Sequence, residues 1–303
     1  WTYPLFAHWV WGGGWLAQLG RLYGLGHGFV DAGGSGCIQV VGGLTALSIA
    51  WILGPRRGKR AADGILTALP GHNAVYALFG CVLALVGWLG LNSAGAILFA
   101  SASPGRVVLI AINTTLSAAA AALTASVVTR LRFGKPDASL SANGWIGGLV
   151  ASSAACAFVR PAAAVVIGFV AGAVVTSAVE WIELKLRVDD PSGAVSVHGV
   201  CGLWGLLAAG LFGRFPAPTA TRMLGSTNQL PSGGSGQWLA QLVGIATLIG
   251  LVLPLTYGLN WLLDRVLRQR VAAEGERQGM DLYELGAGAY PDFVTHSEDF
   301  TQS

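Results

Sequence analysis

Residues 189–205 read DDPSGAVSVHGVCGLWG, and the apolar run that begins there continues as LLAAGLFG. His198 lies at the start of this run, eight residues after Asp190. A titratable ring in an apolar segment is unfavourable unless it has a partner. The stretch therefore predicts a polar site inside an apolar helix.

A second stretch, residues 31–43, repeats this arrangement as DAGGSGCIQVVGG. Asp31 precedes Gln39 by eight residues, as Asp190 precedes His198, and small residues follow both polar side chains at the same offsets. The chain thus contains one element twice, with histidine in one copy and glutamine in the other.

The composition is that of a membrane protein. Of the 303 residues, 53% are hydrophobic and only 11% are charged, whereas soluble domains carry about 25% charged residues. The 44 glycines agree with this class, because glycine is enriched where membrane helices approach closely. The small net charge of +3 says little about nucleic acid.

Seven stretches are long and apolar enough to cross a bilayer, which takes about 20 residues of helix. They lie near residues 37–54, 74–100, 107–129, 141–159, 161–184, 197–213 and 237–263. We therefore expect an all-α bundle of seven spans in one membrane domain, residues 1–265, followed by a polar tail, residues 266–303. The chain begins with Trp1 and has no signal-peptide pattern, so we expect the membrane domain to be incomplete at its N-terminus.

Basic residues are distributed unevenly between the two sides of this bundle. The loops after spans one, three, five and seven hold thirteen Lys and Arg, and the opposite side holds five. Such an excess marks the cytoplasmic side. We therefore expect a multi-pass protein of the cell (inner) membrane, with the RRGKR loop (residues 56–60) and the C-terminus in the cytoplasm.

The repeated element acquires a geometry from this topology. The Asp31 copy enters the membrane from outside, and the Asp190 copy enters from the cytoplasm. Two like elements of opposite orientation form an inverted repeat, whose interface near the midplane is where transporters place their substrates. We expect Gln39 and His198 to face each other across the pseudo-two-fold axis.

The polar residues of the repeat have two interpretations each. His198 is either a neutral ring that bonds a neighbouring helix or part of a pathway, and the repeat favours the pathway. Gln39 offers amide donors and an acceptor but cannot titrate, so a proton relay through this pair needs water. Asp190, which precedes Pro191, is expected to cap a helix. Asp31 either caps a helix or attracts a cation.

Other motifs are less decisive. The stretch GWLGLNSAG (residues 87–95) has glycines that permit close helix approach, and it places Trp88 and Asn92 inside the second span; helix packing alone would explain it. His198 and Cys201 share a helix face, yet two ligands without a third do not make a zinc site. The four cysteines lack CxxC spacing and are interpreted as packing residues. No nucleophile–base pattern or phosphate loop is present, so we predict no enzyme, no metal and no cofactor.

Together these residues resemble the ammonium transporter/methylammonium permease/Rhesus (Amt/Mep/Rh) family. The similarity is collinear and covers essentially the whole chain. The stretches that carry it are AHWVWGGGWLA (7–17), DAGGSG (31–36), GGLTALSIAWILGPRRGK (42–59), GWLGLNSAG (87–95), NTTLSAAAAALT (113–124), VDDPSGAVSVHGVCGLWGLLAAGLFG (188–213) and QGMDLYELGAGAYPD (278–292).

The resemblance implies a fold and a set of partners. The fold is an eleven-helix subunit with an inverted five-plus-five repeat, of which this chain holds the C-terminal portion, spans five to eleven. Subunits of the family form homotrimers with a hydrophobic pore for ammonium or ammonia in each, and a PII-type regulatory protein docks on the cytoplasmic face of some members.

The resemblance also implies roles for individual residues. Trp11, with Gly95 and Asp31, belongs to an outer site that recruits the cation; Gly95 stands where the family often has serine. His198 is the second of two paired pore histidines, and Gln39 replaces the first.

Two residues of GWLGLNSAG complete this assignment. Trp88 is assigned to the pore, and Leu91 stands where the family has a gate phenylalanine. Because these departures weaken the pore, the resemblance leaves two alternatives to transport. One is an ammonium sensor with little or no transport, and the other is a non-conducting fragment.

Overall fold

The computed structural model describes residues 1–59, 69, 71, 73–215 and 235–288. Within these ranges the chain is helical and contains no strand. Two of the basic residues used to predict the topology, Arg60 and Arg222, lie outside the described residues, as does the predicted tail beyond residue 288.

The helices follow one another with short connections. The α-helices are α1 (Thr2–Val10), α2 (Leu19–Tyr23), α3 (Val41–Leu53), α4 (Ala74–Phe99), α5 (Val107–Phe133), α6 (Ala138–Ser153), α7 (Pro161–Leu184), α8 (Cys201–Phe212), α9 (Ser235–Thr247), α10 (Leu253–Leu267), α11 (Ala273–Gln278) and α12 (Met280–Leu285). Three π-helical segments join them: π1 (Ser35–Val40), π2 (Ala194–Val200) and π3 (Leu248–Val252).

Six continuous helices are long and apolar enough to cross a membrane, against the seven predicted. They cover Ser35–Leu53, Ala74–Phe99, Pro104–Phe133, Pro161–Leu184, Ala194–Phe212 and Gly236–Leu267. The seventh prediction, residues 141–159, is not confirmed as a full span, because α6 ends at Ser153 and turns follow it.

Hydrogen bonds from neighbouring segments explain why α6 stops there. The backbone N–H groups of Ala32 and Gly33 donate to the carbonyls of Ala154 and Ser153, at 2.9 and 2.8 Å. The Asn113 amide donates to two further carbonyls of the turn, including that of Cys156 at 2.8 Å. In a membrane a backbone carbonyl must find a partner within the protein. Here those partners come from outside the helix, so the apolar run does not continue as a helix.

Small residues bring α5, α6 and α7 into close contact. A Cβ atom on Gly148 or on Gly168 would collide with the carbonyl of Ser117, and one on Gly172 with that of Ala121. Membrane helices gain little from apolar burial against lipid, so close van der Waals packing at small residues holds them together. This three-helix group supports one side of the central unit.

The central unit consists of two antiparallel copies of the repeated element, π1–α3 and π2–α8. The end of α3 lies beside the start of the second copy, where Arg56 pairs with Asp189. We call this the Arg56 end of the bundle. The opposite end holds Trp11 and the start of π1, and we call it the Trp11 end. The predicted inversion of the two copies is therefore present in the fold.

Candidate functional site

The first copy of the repeat begins with a buried carboxylate cap. Gly34 has a φ of 93°, in the left-handed region that favours glycine, and it turns the chain into π1. The Asp31 Oδ2 atom then accepts the N–H groups of Gly36 and Cys37 at 2.9 and 2.7 Å. The side chain is 2% exposed. Asp31 thus has the helix-capping position, one of its two predicted interpretations.

The second copy is built in the same way. Gly193 has a φ of 69° ahead of π2. The Asp190 carboxylate accepts the N–H groups of Val195 and Ser196 at 3.1 and 3.0 Å, and the Ser196 hydroxyl at 2.8 Å. The capping predicted for Asp190 is observed, although Pro191 lies in the turn before the helix. In both copies the cap binds residues five and six positions after the aspartate, so the repeat extends to its hydrogen bonds.

The two polar side chains meet where the copies cross. The His198 Nδ1 atom lies 2.6 Å from Gln39 Oε1. Gln39 is 6% exposed, and His198 is half-buried. The sequence predicted that these residues face each other, and the structure places them in direct contact.

Glycines set how closely the two copies approach. A Cβ atom on Gly43 would collide with the backbone of Gly199, and one on Gly202 would lie 2.6 Å from Val40. Gly43 and Gly202 occupy the same position in the two copies, four residues after Gln39 and His198. The contact between the copies is therefore approximately symmetric, and the absence of side chains at these positions lets the polar pair come within hydrogen-bonding distance.

The geometry of the pair assigns its hydrogens. With the amide oxygen of Gln39 towards the ring, Nδ1 of His198 carries the proton and donates it. The ring nitrogen Nε2 is then the acceptor, and the Gln39 amide keeps two N–H donors. The pair can donate to a small polar molecule and accept from it. Because an amide does not titrate, Gln39 cannot take up a proton and pass it on.

The Trp11 end of the bundle assembles the residues of the predicted recruitment site. The Trp11 indole N–H donates to the backbone carbonyl of Asp31 at 2.7 Å. Its ring stacks on Phe99, with centroids 4.3 Å apart and planes 10° from parallel. Gly95 packs on the next peptide, since a Cβ there would lie 2.7 Å from the carbonyl of Ala32. Sequence reasoning missed Phe99; its position one helical turn after Gly95 was the available signal.

The remaining predicted residues lie on α4. The Trp88 indole donates to the Ser153 hydroxyl at 3.0 Å, and the Asn92 amide donates to Thr114 at 2.9 Å. Leu91 lies between them and is half-buried.

The glycines of α4 behave differently from one another. Close helix approach was predicted at Gly87 and Gly90, but no atom of the described chain lies within 4 Å of a Cβ built on either. Of the three glycines in this stretch, Gly95 alone makes the predicted close contact within the described chain.

The Arg56 end carries an ion cluster beside an open cavity. Arg56 forms a bidentate pair with Asp189, at 2.8 and 2.9 Å, and Lys59 pairs with Glu183 at 2.8 Å. Burial raises the pKa of Asp189, but the hydrogen bonds from Arg56 outweigh it and hold that pKa below its usual value. The cavity has a volume of about 370 Å³ and lies between α3 and the start of π2.

Among the described residues, no group of three or more His, Cys, Asp and Glu side chains is placed to hold a metal ion. All four cysteines are free thiols.

Fold and site together define a class of protein: a polytopic helical membrane protein with a polar pair buried between two inverted, capped helices. The sequence profile described as Ammonium Transporter Family matches residues 1–290. The chain therefore belongs to the ammonium transporter family.

Individual relatives agree with this assignment. The chain is 42% identical over 301 residues to the ammonium transporter Amt2 of Archaeoglobus fulgidus, with 96% of this chain and 62% of the relative covered. It is 35% identical over 311 residues to ammonium transporter 1 member 1 of Solanum lycopersicum, with 98% and 63% covered. The chain thus spans less than two thirds of the length of these relatives.

Solved structures show the same fold. The structure of a protein called Sensor Amt Protein matches with a TM-score of 0.78 and 30% identity, over 93% of this chain and 66% of that one. Mep2 of Saccharomyces cerevisiae matches with a TM-score of 0.73 and 29% identity, over 90% and 58% of the two chains.

Proposed function

We propose that the protein moves ammonium, or ammonia derived from it, across the membrane along a path past Gln39 and His198. The observation that carries the proposal is the 2.6 Å contact between these side chains at the crossing of the inverted copies. The names of the relatives, which are ammonium transporters, support this substrate.

The physical chemistry of the substrate fits such a pair. Ammonium resembles a lysine side chain, whose pKa is about 10.4, so it is almost fully charged at neutral pH. A charge at the bilayer centre is unfavourable by several kcal/mol. Neutral ammonia avoids this barrier, and it can both donate to His198 Nε2 and accept from the Gln39 amide. We therefore infer that the cation loses its proton before the pair is reached.

The Trp11 end supplies the place where the cation is recruited. A tryptophan face attracts a cation by about 1–2 kcal/mol when partly desolvated. Trp11 is fixed there by its bond to Asp31 and its stacking on Phe99. In this proposal Asp31 acts through its backbone carbonyl and its helix cap, and Gly95 lets α4 pack against the adjoining peptide.

The proton takes a separate route. Gln39 cannot accept it, so it cannot pass from one member of the pair to the other unless water completes the relay. We infer that this protein conducts less well than a member with two histidines, or that it discriminates less against other cations such as potassium. Leu91 in place of a gate phenylalanine acts in the same direction.

We further propose a topology and partners. The Trp11 end faces outside, and the Arg56 end and the tail face the cytoplasm of a cell whose inner membrane holds the protein; the excess of basic residues supports this orientation. By family resemblance the subunits form a homotrimer, and a PII-type regulator is a candidate partner on the cytoplasmic face. The exposed apolar side chains of α4, such as Val75, Phe79 and Val86, are suited to contact lipid or a second copy.

A specific observation favours a second candidate function. The pair lacks one titratable group, so the chain could bind ammonium and signal without fast transport. One structural neighbour is called Sensor Amt Protein.

The test is a current recording on the complete gene product in liposomes on a solid-supported membrane. An ammonium jump is followed by a potassium jump, with protein-free liposomes as control. Current with ammonium alone identifies a selective transporter, and current with both ions identifies a leakier cation path. Absence of current with retained ammonium binding refutes transport and supports the sensor. Absence of both refutes the proposal.

A further inference from the structure

Two buried glutamines lie on one face of α9. Gln237 and Gln241 are four residues apart, so their side chains point the same way along the helix. They are 3% and 0% exposed. Buried side-chain amides need several hydrogen bonds to compensate for lost water, and these find theirs outside their own helix.

Their partners lie mainly in the loop that runs from α2 to Asp31. Gln237 accepts the N–H of His27 at 2.8 Å and donates to the carbonyl of Gly28 at 2.9 Å. Gln241 accepts the N–H of Val30 at 2.9 Å and donates to the carbonyl of the same residue at 2.8 Å. Each amide therefore bonds the loop backbone at two points, as a neighbouring peptide strand would.

Gln241 has a third bond, to the other copy of the repeat. Its amide also donates to the carbonyl of Leu206 on α8, at 3.2 Å. Leu206 lies eight residues after His198 on the continuous helix π2–α8. One side chain thus connects the loop before Asp31 with the helix that carries the histidine.

The loop cannot move without moving the recruitment site. Val30, bound on both sides of its peptide by Gln241, is adjacent to Asp31. The carbonyl of Asp31 accepts the Trp11 indole, and its carboxylate caps π1. Close packing reinforces the attachment, because a Cβ on Gly244 of α9 would collide with the ring of Phe29.

We propose that Gln237 and Gln241 form an amide clamp that positions Trp11 relative to the Gln39–His198 pair. The clamp residues are positioning residues, since they act through the loop backbone and do not touch the path. Their role rests on the proposed function. The clamp predicts that weakening these bonds lowers the apparent affinity for ammonium more than the maximal rate.

The test compares three glutamine variants with a matched control in the complete protein. Gln241→Met and Gln237→Met keep the length of the side chain but remove its hydrogen bonds, and the double variant removes all five. Thr247→Val removes a hydroxyl of α9 that bonds only the Val243 carbonyl of its own helix. We expect KM for the ammonium-evoked current to rise about fivefold or more in Gln241→Met, with the maximal current per protein changed less than twofold and the control unchanged.

A spectroscopic readout reports on Trp11 without requiring transport. The protein is labelled with 5-fluorotryptophan, and Trp11→Phe identifies the ¹⁹F line of that residue. We expect this line to shift or broaden in Gln237→Met and Gln241→Met and to stay in place in Thr247→Val. If Gln241→Met does not fold, Gln237→Met, which loses only two bonds, provides both readouts.

The outcomes separate the clamp from the proposed function. An unmoved Trp11 line, or an unchanged KM, overturns the clamp even if transport is confirmed. A fall in maximal current at constant KM also overturns it, because that result indicates only a loss of folded protein. A shifted Trp11 line in a protein that gives no ammonium current supports the positioning of Trp11 while refuting transport.

Discussion

Replacing Gln39 by methionine tests whether the polar pair lies on the path of the substrate. Methionine has a similar length and volume but neither donates nor accepts a strong hydrogen bond. The change removes the acceptor 2.6 Å from His198 Nδ1 and the two amide N–H donors beside it. The remaining structure at the crossing, including the close contact of Gly43 with Gly199, stays the same.

Two free-energy changes follow from this geometry. A buried N–H that loses its acceptor destabilises a protein by about 1–3 kcal/mol, so the free energy of unfolding should fall by that amount. A passing ammonia molecule also loses one hydrogen bond, worth about 1 kcal/mol. Since 1.36 kcal/mol in a barrier corresponds to a factor of ten in rate, we expect the ammonium flux to fall about fivefold.

The assay is the ammonium-evoked current per reconstituted protein, with thermal unfolding measured in parallel. Gln278→Met is the matched control, because Gln278 lies in the tail and its side chain bonds only Glu274 there. Gln39→His is the companion variant, in which a second imidazole can exchange the proton with His198. It should conduct ammonium at least as well as the unsubstituted protein and reduce any potassium current.

Two results would refute this reasoning. A Gln39→Met protein that is less stable but carries the same flux within twofold would show that the pair is structural and lies off the path. An ammonium flux in Gln39→His that equals the unsubstituted value, with an unchanged potassium response, would show that the missing titratable group does not limit conduction.

Three further predictions concern the supports of the site. Asp190→Asn replaces a carboxylate that accepts two backbone N–H groups of π2, so the unfolding free energy should fall by about 1–2 kcal/mol; an unchanged melting temperature would contradict the cap. The lowered pKa of Asp189 stabilises the fold above the unfolded pKa of about 3.9 and less as pH falls through the folded value. Stability should therefore be flat from about pH 5 to 8 and decline below about pH 4, and Arg56→Gln, which removes the partner, should flatten that decline. Glu276→Gln weakens the contact of α11 with the loop after α3, where Glu276 accepts a backbone N–H at 2.8 Å; amide exchange in α11 should become severalfold faster, and equal exchange would count against docking through this carboxylate.

Several features could be read from residue type and spacing alone. The shared interval between aspartate and polar side chain predicted both copies of the repeat, because a helix start needs a cap and a buried polar group needs a partner. The same interval predicted that Gln39 faces His198. Apolar runs predicted six spans correctly, since helix length in a bilayer follows from its thickness.

Other features depended on contacts between distant segments. The run at residues 141–159 is apolar enough to span, but α6 ends at Ser153 because the loop at Ala32 and the side chain of Asn113 take its carbonyls. Phe99 was missed because only the fold brings its ring onto Trp11. The π-helical form at the start of both copies was also outside the reach of a pattern, because π1 and π2 have the same apolar residues as an α-helix.

The sequence by itself determined the class of protein, the repeat and the identity of the polar pair, because these follow from composition and from spacing along one chain. The tertiary structure alone decided which nitrogen of His198 carries the proton, where α6 ends, and that Gln241 connects Val30 with Leu206. Each of these is set by a hydrogen bond between residues far apart in sequence, and only the packed fold brings such atoms within bonding distance.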